Sequence, residues 1–94
     1  MSTYIMLGSY SQKSIKKMSA DRTDQAIALI EKFGGKVKAG YAMLGVYDLA
    51  LIVDLPDTEG AMKTSVALSK LLGVGFTTSP AVTFEVFDKL TGDL

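Results

Sequence analysis

Asp48 leads directly into the apolar run Leu49-Ala50-Leu51-Ile52-Val53, and its placement invites chemistry more than any other in the chain. A lone carboxylate is costly to desolvate, so an acid at the mouth of a segment short enough for a buried strand needs a reason. It could act as a proton-transfer base or as a hydrogen-bond anchor for a ligand. The competing role is structural, with the carboxylate accepting backbone N–H bonds around the turn that Gly45 opens. Tyr47, one residue earlier, falls on the opposite face at strand spacing, where an aromatic packing residue with its hydroxyl at the rim is the commoner use.

Three further tyrosines and one arginine complete the candidate set. Tyr4, Tyr10 and Tyr41 could line a pocket between a sheet and a partner subunit, with Met6 and Met43 as adaptable walls. Interface core is the plainer reading of such a stripe. Arg22, near a helix start, could pair with Asp21, Asp24 or a ligand carboxylate, although surface ion pairs contribute little. Lys13, Lys16 and Lys17 could attract an anion but more often make a solvated face. Gly34-Gly35 and Gly73-Val74-Gly75 lack the spacing of phosphate-binding loops and read as caps and turns.

Composition removes whole classes of chemistry. The 94 residues contain no cysteine and no histidine. Thiol catalysis, zinc–thiolate sites, Ser-His-Asp triads and histidine general bases are therefore excluded. No spaced acidic cluster offers an oxygen-only metal site, and no cofactor is expected. Ten basic residues balance ten acidic ones, which argues against nucleic acid or an anionic membrane as partner. No signal peptide or spanning helix is expected, because Thr3 to Gly8 is too short. A cytoplasmic protein follows. Hydrophobic residues make up 48% of the chain, more than so small a core needs, which favours self-association.

The elements that would position these residues follow from periodicity. Thr3 to Tyr10 reads as a strand apolar on both faces, with Ile5 and Leu7 on one and Tyr4, Met6 and Tyr10 on the other. Ser11 to Met18 is a polar connector with at most one loose helical turn. Ala26, Leu29, Ile30 and Phe33 stripe a helix from about Asp21 to Phe33, with Ser19 or Asp21 as N-cap and Gly34-Gly35 as stop. Lys36 to Met43 reads as an edge strand, with Val37, Ala39 and Tyr41 alternating against Lys36, Lys38 and Gly40. Leu44-Gly45-Val46 turns the chain into an antiparallel third strand that ends at Pro56-Asp57.

A second helix spans Asp57 to Leu72, with Ala61, Met62, Val66, Leu68, Leu71 and Leu72 on one broad arc. Gly75 to Phe87 gives the last strand, irregular near Ser79-Pro80 and strongest over Ala81 to Val86. Asp88 to Leu94 is then a short tail. The order βαββαβ predicts a single α+β domain over residues 1–94, a ferredoxin-like four-stranded antiparallel sheet with two helices on one face. Two central strands apolar on both sides predict a homodimer, or higher homo-oligomer, through the open face.

Gly45-Val46-Tyr47-Asp48, the apolar strand after it and Asp54-Leu55-Pro56-Asp57 resemble the GYD-domain family of small bacterial proteins. Tyr4 to Tyr10, Asp21-Arg22 and Phe33-Gly34-Gly35-Lys36-Val37 extend the likeness over nearly the whole chain. The resemblance implies a fold of the dimeric α/β-barrel type and brings no activity with it.

Three functions compete on these residues. The first is a homo-oligomeric binding or interaction module for a small, largely apolar ligand, favoured by the missing histidine and cysteine. The second is a cofactor-free enzyme, resembling monooxygenases and isomerases of related barrels, with Asp48 and a tyrosine transferring protons. The third is a purely structural assembly unit. A roomy cavity with Asp48 pointing inward keeps the enzyme reading open, and a solid, side-chain-filled dimer interface favours the structural one.

Overall fold

The computed structural model describes residues 1–15 and 19–94, with the side chains of 14 and 15 also left undescribed. The expected strand-helix framework is present, with two elements added. The order is β1 (Ser2–Tyr10), α1 (Gln12–Ile15), α2 (Ala20–Lys32), β2 (Lys36–Ala42), β3 (Leu49–Leu55), α3 (Thr58–Leu72), β4 (Val74–Ala81) and α4 (Phe84–Thr91). The strands form one antiparallel sheet in the order β2-β3-β1-β4. The two most apolar strands, β1 and β3, therefore lie at the centre, and lysine-bearing β2 lies at an edge.

Helices α2 and α3 cover one face. Their N-caps are the residues expected to satisfy orphan N–H groups. Ser19 Oγ accepts from Arg22 N at 3.3 Å and Asp57 Oδ1 from Gly60 N at 2.7 Å. Gly73 ends α3 at φ 68°, a left-handed conformation that glycine adopts without a Cβ penalty. The core between sheet and helices holds Tyr4, Met6, Val53, Leu55 and Val74 from the strands against Ala26, Ile30, Ala61, Leu68 and Leu72. Gly35 lets the α2–β2 junction approach β3 closely, since a Cβ there would come within 2.6 Å of Leu55 Cδ2 and 2.9 Å of the Asp54 carbonyl.

Four expectations are corrected. The last strand does not run from Gly75 to Phe87; it spans Val74–Ala81, and the chain beyond it is helical. Thr83 Oγ1 accepts from Val86 N at 3.2 Å as an N-cap, and Glu85 pairs with Lys89 one turn on at 3.7 Å. These local bonds outweigh the β-propensity of Val82 and Val86. Asp88 to Thr91 consequently belongs to a helix and not to a frayed tail.

The apolar arc of α3 is narrower than its composition implies. Ala61, Thr64, Leu68 and Leu72 face the sheet, whereas Met62 and Val66 point out. A helix against a flat sheet can bury only the stripe at spacings of three and four. In β2, a register shift between Val37 and Ala39 inserts one extra residue. Val37 pairs with Val53 on the covered face, but Ala39 pairs with Ile52 and Tyr41 with Ala50 on the open face. Val37 thus does not share a face with Ala39 and Tyr41, as simple alternation predicts, because a bulge inverts side-chain parity.

The open face carries Ile5, Leu7, Ala50 and Ile52 at its centre. Pro80 sits in edge strand β4 opposite Tyr4 and leaves the pairing with β1 intact. Its missing N–H is therefore on the outward side.

Candidate functional site

A groove of ≈ 680 Å³ opens between the N-terminal half of α2 and the β2–β3 side of the sheet. Its floor is Leu49 and Leu51 of β3, and Ala26, Ile27 and Ile30 of α2 form the opposite wall. Arg22 and Asp48 are its two charged residues among those described, and Tyr10 lies with them. The cleft thus has an apolar body with a small polar cluster, the usual make-up of a small-molecule site.

Asp48 is held by three hydrogen bonds, two to β1 and one within the β2–β3 loop. Its Oδ2 accepts from the backbone N–H of Tyr10 at 2.8 Å. Its own N–H donates to the Gly8 carbonyl at 2.8 Å, and its carbonyl accepts from Met43 N at 2.7 Å. The carboxylate therefore does not cap the Gly45 turn; it replaces a ladder carbonyl at the end of β1. The reason is topological. Asp48 is the last loop residue before β3, and β1 continues past the end of β3's pairing, so Tyr10 N–H faces the side chain and not a strand. Gly45 itself, at φ 134°, makes the turn that glycine was expected to make.

Arg22 reaches neither Asp21 nor Asp24 by an ion pair among the described residues. Its Nη2 donates to the Leu71 carbonyl at 3.0 Å. A cation at that point satisfies an orphan carbonyl and complements the negative end of the α3 dipole. It also ties the start of α2 to the end of α3.

The remaining candidates divide. Tyr41 touches the groove wall but is 61% exposed on edge strand β2. Tyr4, only 5% exposed, and Met6 lie in the core on the helix-covered face. They cannot share a partner-facing pocket with Tyr41, because side chains of successive pairs alternate across the sheet. The cavity lies between sheet and helices, not between sheet and partner subunit. Tyr47 is half-buried in the loop ahead of β3 and lies outside the groove lining, as does Gly45. Met43 is exposed in the same loop. Lys13 is exposed, and Lys16 and Lys17 lie outside the described residues.

The wall contributed by Ser19, Thr23 and Ile27 was not singled out from sequence. The signal was there. Ser19, Thr23, Ala26 and Ile27 continue the α2 stripe at spacings of four, three and one, and the small side chains leave space where Leu29 and Phe33 further along would fill it. Among the described residues, no group of three or more acidic side chains could hold a metal ion, and no helix is long and apolar enough to cross a membrane.

The sequence profile of the GYD domain matches residues 4–91. The chain belongs to the GYD domain family. Among curated proteins, none matches the sequence. The fold of this GYD domain is similar to that of a leucine response regulatory protein from Mycobacterium tuberculosis, with a TM-score of 0.59 at 11% identity over 87% of this chain. A second solved structure, described as a glutamate-to-alanine mutant, gives 0.58 at 12% identity, again over 87% of this chain. The chain spans about half the length of either, 51% and 50%. At these identities the likeness shows the ferredoxin-like fold alone.

Proposed function

We propose that this GYD domain is a homo-oligomeric binding module whose groove takes a small, largely apolar molecule bearing one polar group. The observation that carries the reading is the groove itself, open and apolar along Leu49, Leu51, Ala26 and Ile30, with Arg22 and Asp48 as its only charges among the described lining. An apolar ligand body would replace water there, and its polar end would meet the Arg22 guanidinium or the Asp48 carboxylate. The apolar strip Ile5, Leu7, Ala50 and Ile52 supports a face-to-face homodimer, since a single chain leaves Ile5 exposed and the other three only half-buried.

One observation favours a second reading, a cofactor-free proton-transfer enzyme. Asp48 and Tyr10 line the same groove and are joined by a hydrogen bond, although it is the Tyr10 backbone that donates it. Asp48 would then be the acid–base group and Tyr10 or Tyr41 its phenolic partner.

Binding of decanoate and 1-decanol, followed by NMR shift mapping, tests the groove. Perturbations are expected to cluster on Ala26, Ile30, Leu49 and Leu51. Ala42→Trp, at the exposed rim, should fill the groove and abolish them without unfolding the chain. Shifts scattered over the open sheet face would sink the groove reading.

A further inference from the structure

Every residue of helix α4 from Phe84 to Leu90 is exposed, and none of the helix is buried. Phe84 is 87% exposed, and Phe87, Leu90 and Leu94 are exposed beside it. The spacings of three put Phe84, Phe87 and Leu90 on one stripe of the helix, Leu94 follows just past its end, and Asp88 flanks that stripe beside Phe84. Eight residues are fewer than the roughly 12 to 15 that an isolated helix needs in water, and a cap and one exposed ion pair do not close that gap. Such a helix is held by docking on something.

The sheet register indicates what. Lys36, Asp54, Thr3 and Ala81 form one row across all four strands, so α4 leaves β4 at the same end of the sheet as Lys36 enters β2. A two-fold axis parallel to the strands, between two open faces, keeps that end in place and exchanges left for right. It sets β4 of one copy over β2 of the other. The helix that continues from β4 then arrives at the partner copy's β2 edge. That edge offers Lys36, with no ion pair among the described residues, and Lys38, held to Asp54 only loosely at 3.9 Å. Residues 84–94 carry Glu85, Asp88 and Asp93 against Lys89 alone. Charge and position agree.

We propose that α4 is an exchanged arm that crosses to a second copy of this chain, laying its apolar stripe along the β2 edge with its acidic flank on Lys36 and Lys38. The helical stripe from Phe84 to Leu90 spans about 9 Å at the helical rise, and β2 from Lys36 to Tyr41, about 17 Å long, accommodates it. The exposed Tyr41 ring then gains aromatic neighbours. An anionic membrane surface would repel the same acidic flank. The inference rests on the face-to-face dimer proposed above.

The chain has no cysteine, so engineered thiols report cleanly. Lys36→Cys in one tagged copy and Asp88→Cys in a second, co-expressed and mildly oxidised, should give a disulfide-linked heterodimer as the main product. Lys63→Cys, on the outer helix layer, paired with Asp88→Cys should give little. A dimer by light scattering with no Lys36→Cys/Asp88→Cys product overturns the arm and leaves the sheet-face dimer standing. A monomer at micromolar concentration overturns both. When both substitutions are made in one chain, an exclusively intrachain disulfide shows that the arm folds back on its own sheet, which also overturns the proposal.

Discussion

On the helix-covered face Tyr4, Met6, Val53 and Leu55 are sealed beneath α2 and α3. One residue along the same strands, Ile5, Leu7, Ala50 and Ile52 make a comparably apolar surface that neither helix covers. The hydrophobic driving force is similar on both sides, being set by area and not by direction. What differs is when each is satisfied. The first face is buried by folding of a single chain; in the dimer proposed above the second would be covered by a second molecule, so one would contribute a fixed stability and the other a concentration-dependent one.

That difference can be broken most sharply at Met6, which is fully buried. Met6→Ala should cost about 2 to 5 kcal/mol, through lost transfer energy and a cavity, at every protein concentration. Urea unfolding checks it. Ile52→Asp on the other face should abolish the dimer in light scattering and remove the concentration dependence of Tm, while the isolated chain keeps its circular dichroism spectrum. If Ile52→Asp unfolds the chain at all concentrations, the two faces are not separable.

Smaller effects probe how the polar residues serve each side. Asp48→Ala leaves the Tyr10 N–H unpaired where β1 ends, and should cost about 1 to 3 kcal/mol. Asp48→Asn keeps an acceptor and should cost clearly less, so comparing their urea midpoints separates hydrogen bonding from charge. Thr64 faces the core with its hydroxyl fully buried and without a partner among the described residues. Thr64→Val should therefore stabilise the chain by about 1 kcal/mol, since an apolar group of the same shape replaces an unmade hydrogen bond. A lower Tm for Thr64→Val would show that the hydroxyl has a partner when the protein is assembled.

The parts of the fold readable in the sequence are those where local and global preferences agree. The stripe Ala26, Leu29, Ile30 has a cap before it and two glycines after it, so α2 declares its type and both ends. The edge position of β2 was legible because lysines and a glycine are tolerated there. The C-terminal segment was not, because Val82, Phe84 and Val86 alternate like a strand while Thr83, Glu85 and Lys89 specify a helix. Periodicity at two and at three-to-four compete over so short a stretch, and the capping bonds decide. Asp48 was legible as unusual but not as to role, since its partner is 38 residues away in sequence. The bulge in β2 has no local signature in Lys36 to Ala39 beyond ordinary alternation, and it is what separates Val37 from Tyr41.

Pro80 has a consequence for how this molecule can grow. The outer side of β4 has no N–H to offer at that position, and the outer side of β2 carries two lysines and a bulge. Neither rim can template another strand with an unbroken ladder. Copies of the chain are thus steered away from open-ended ribbons, which recruit monomers without limit. The routes left to them run through faces, where two-fold pairing uses up the sticky surface and stops.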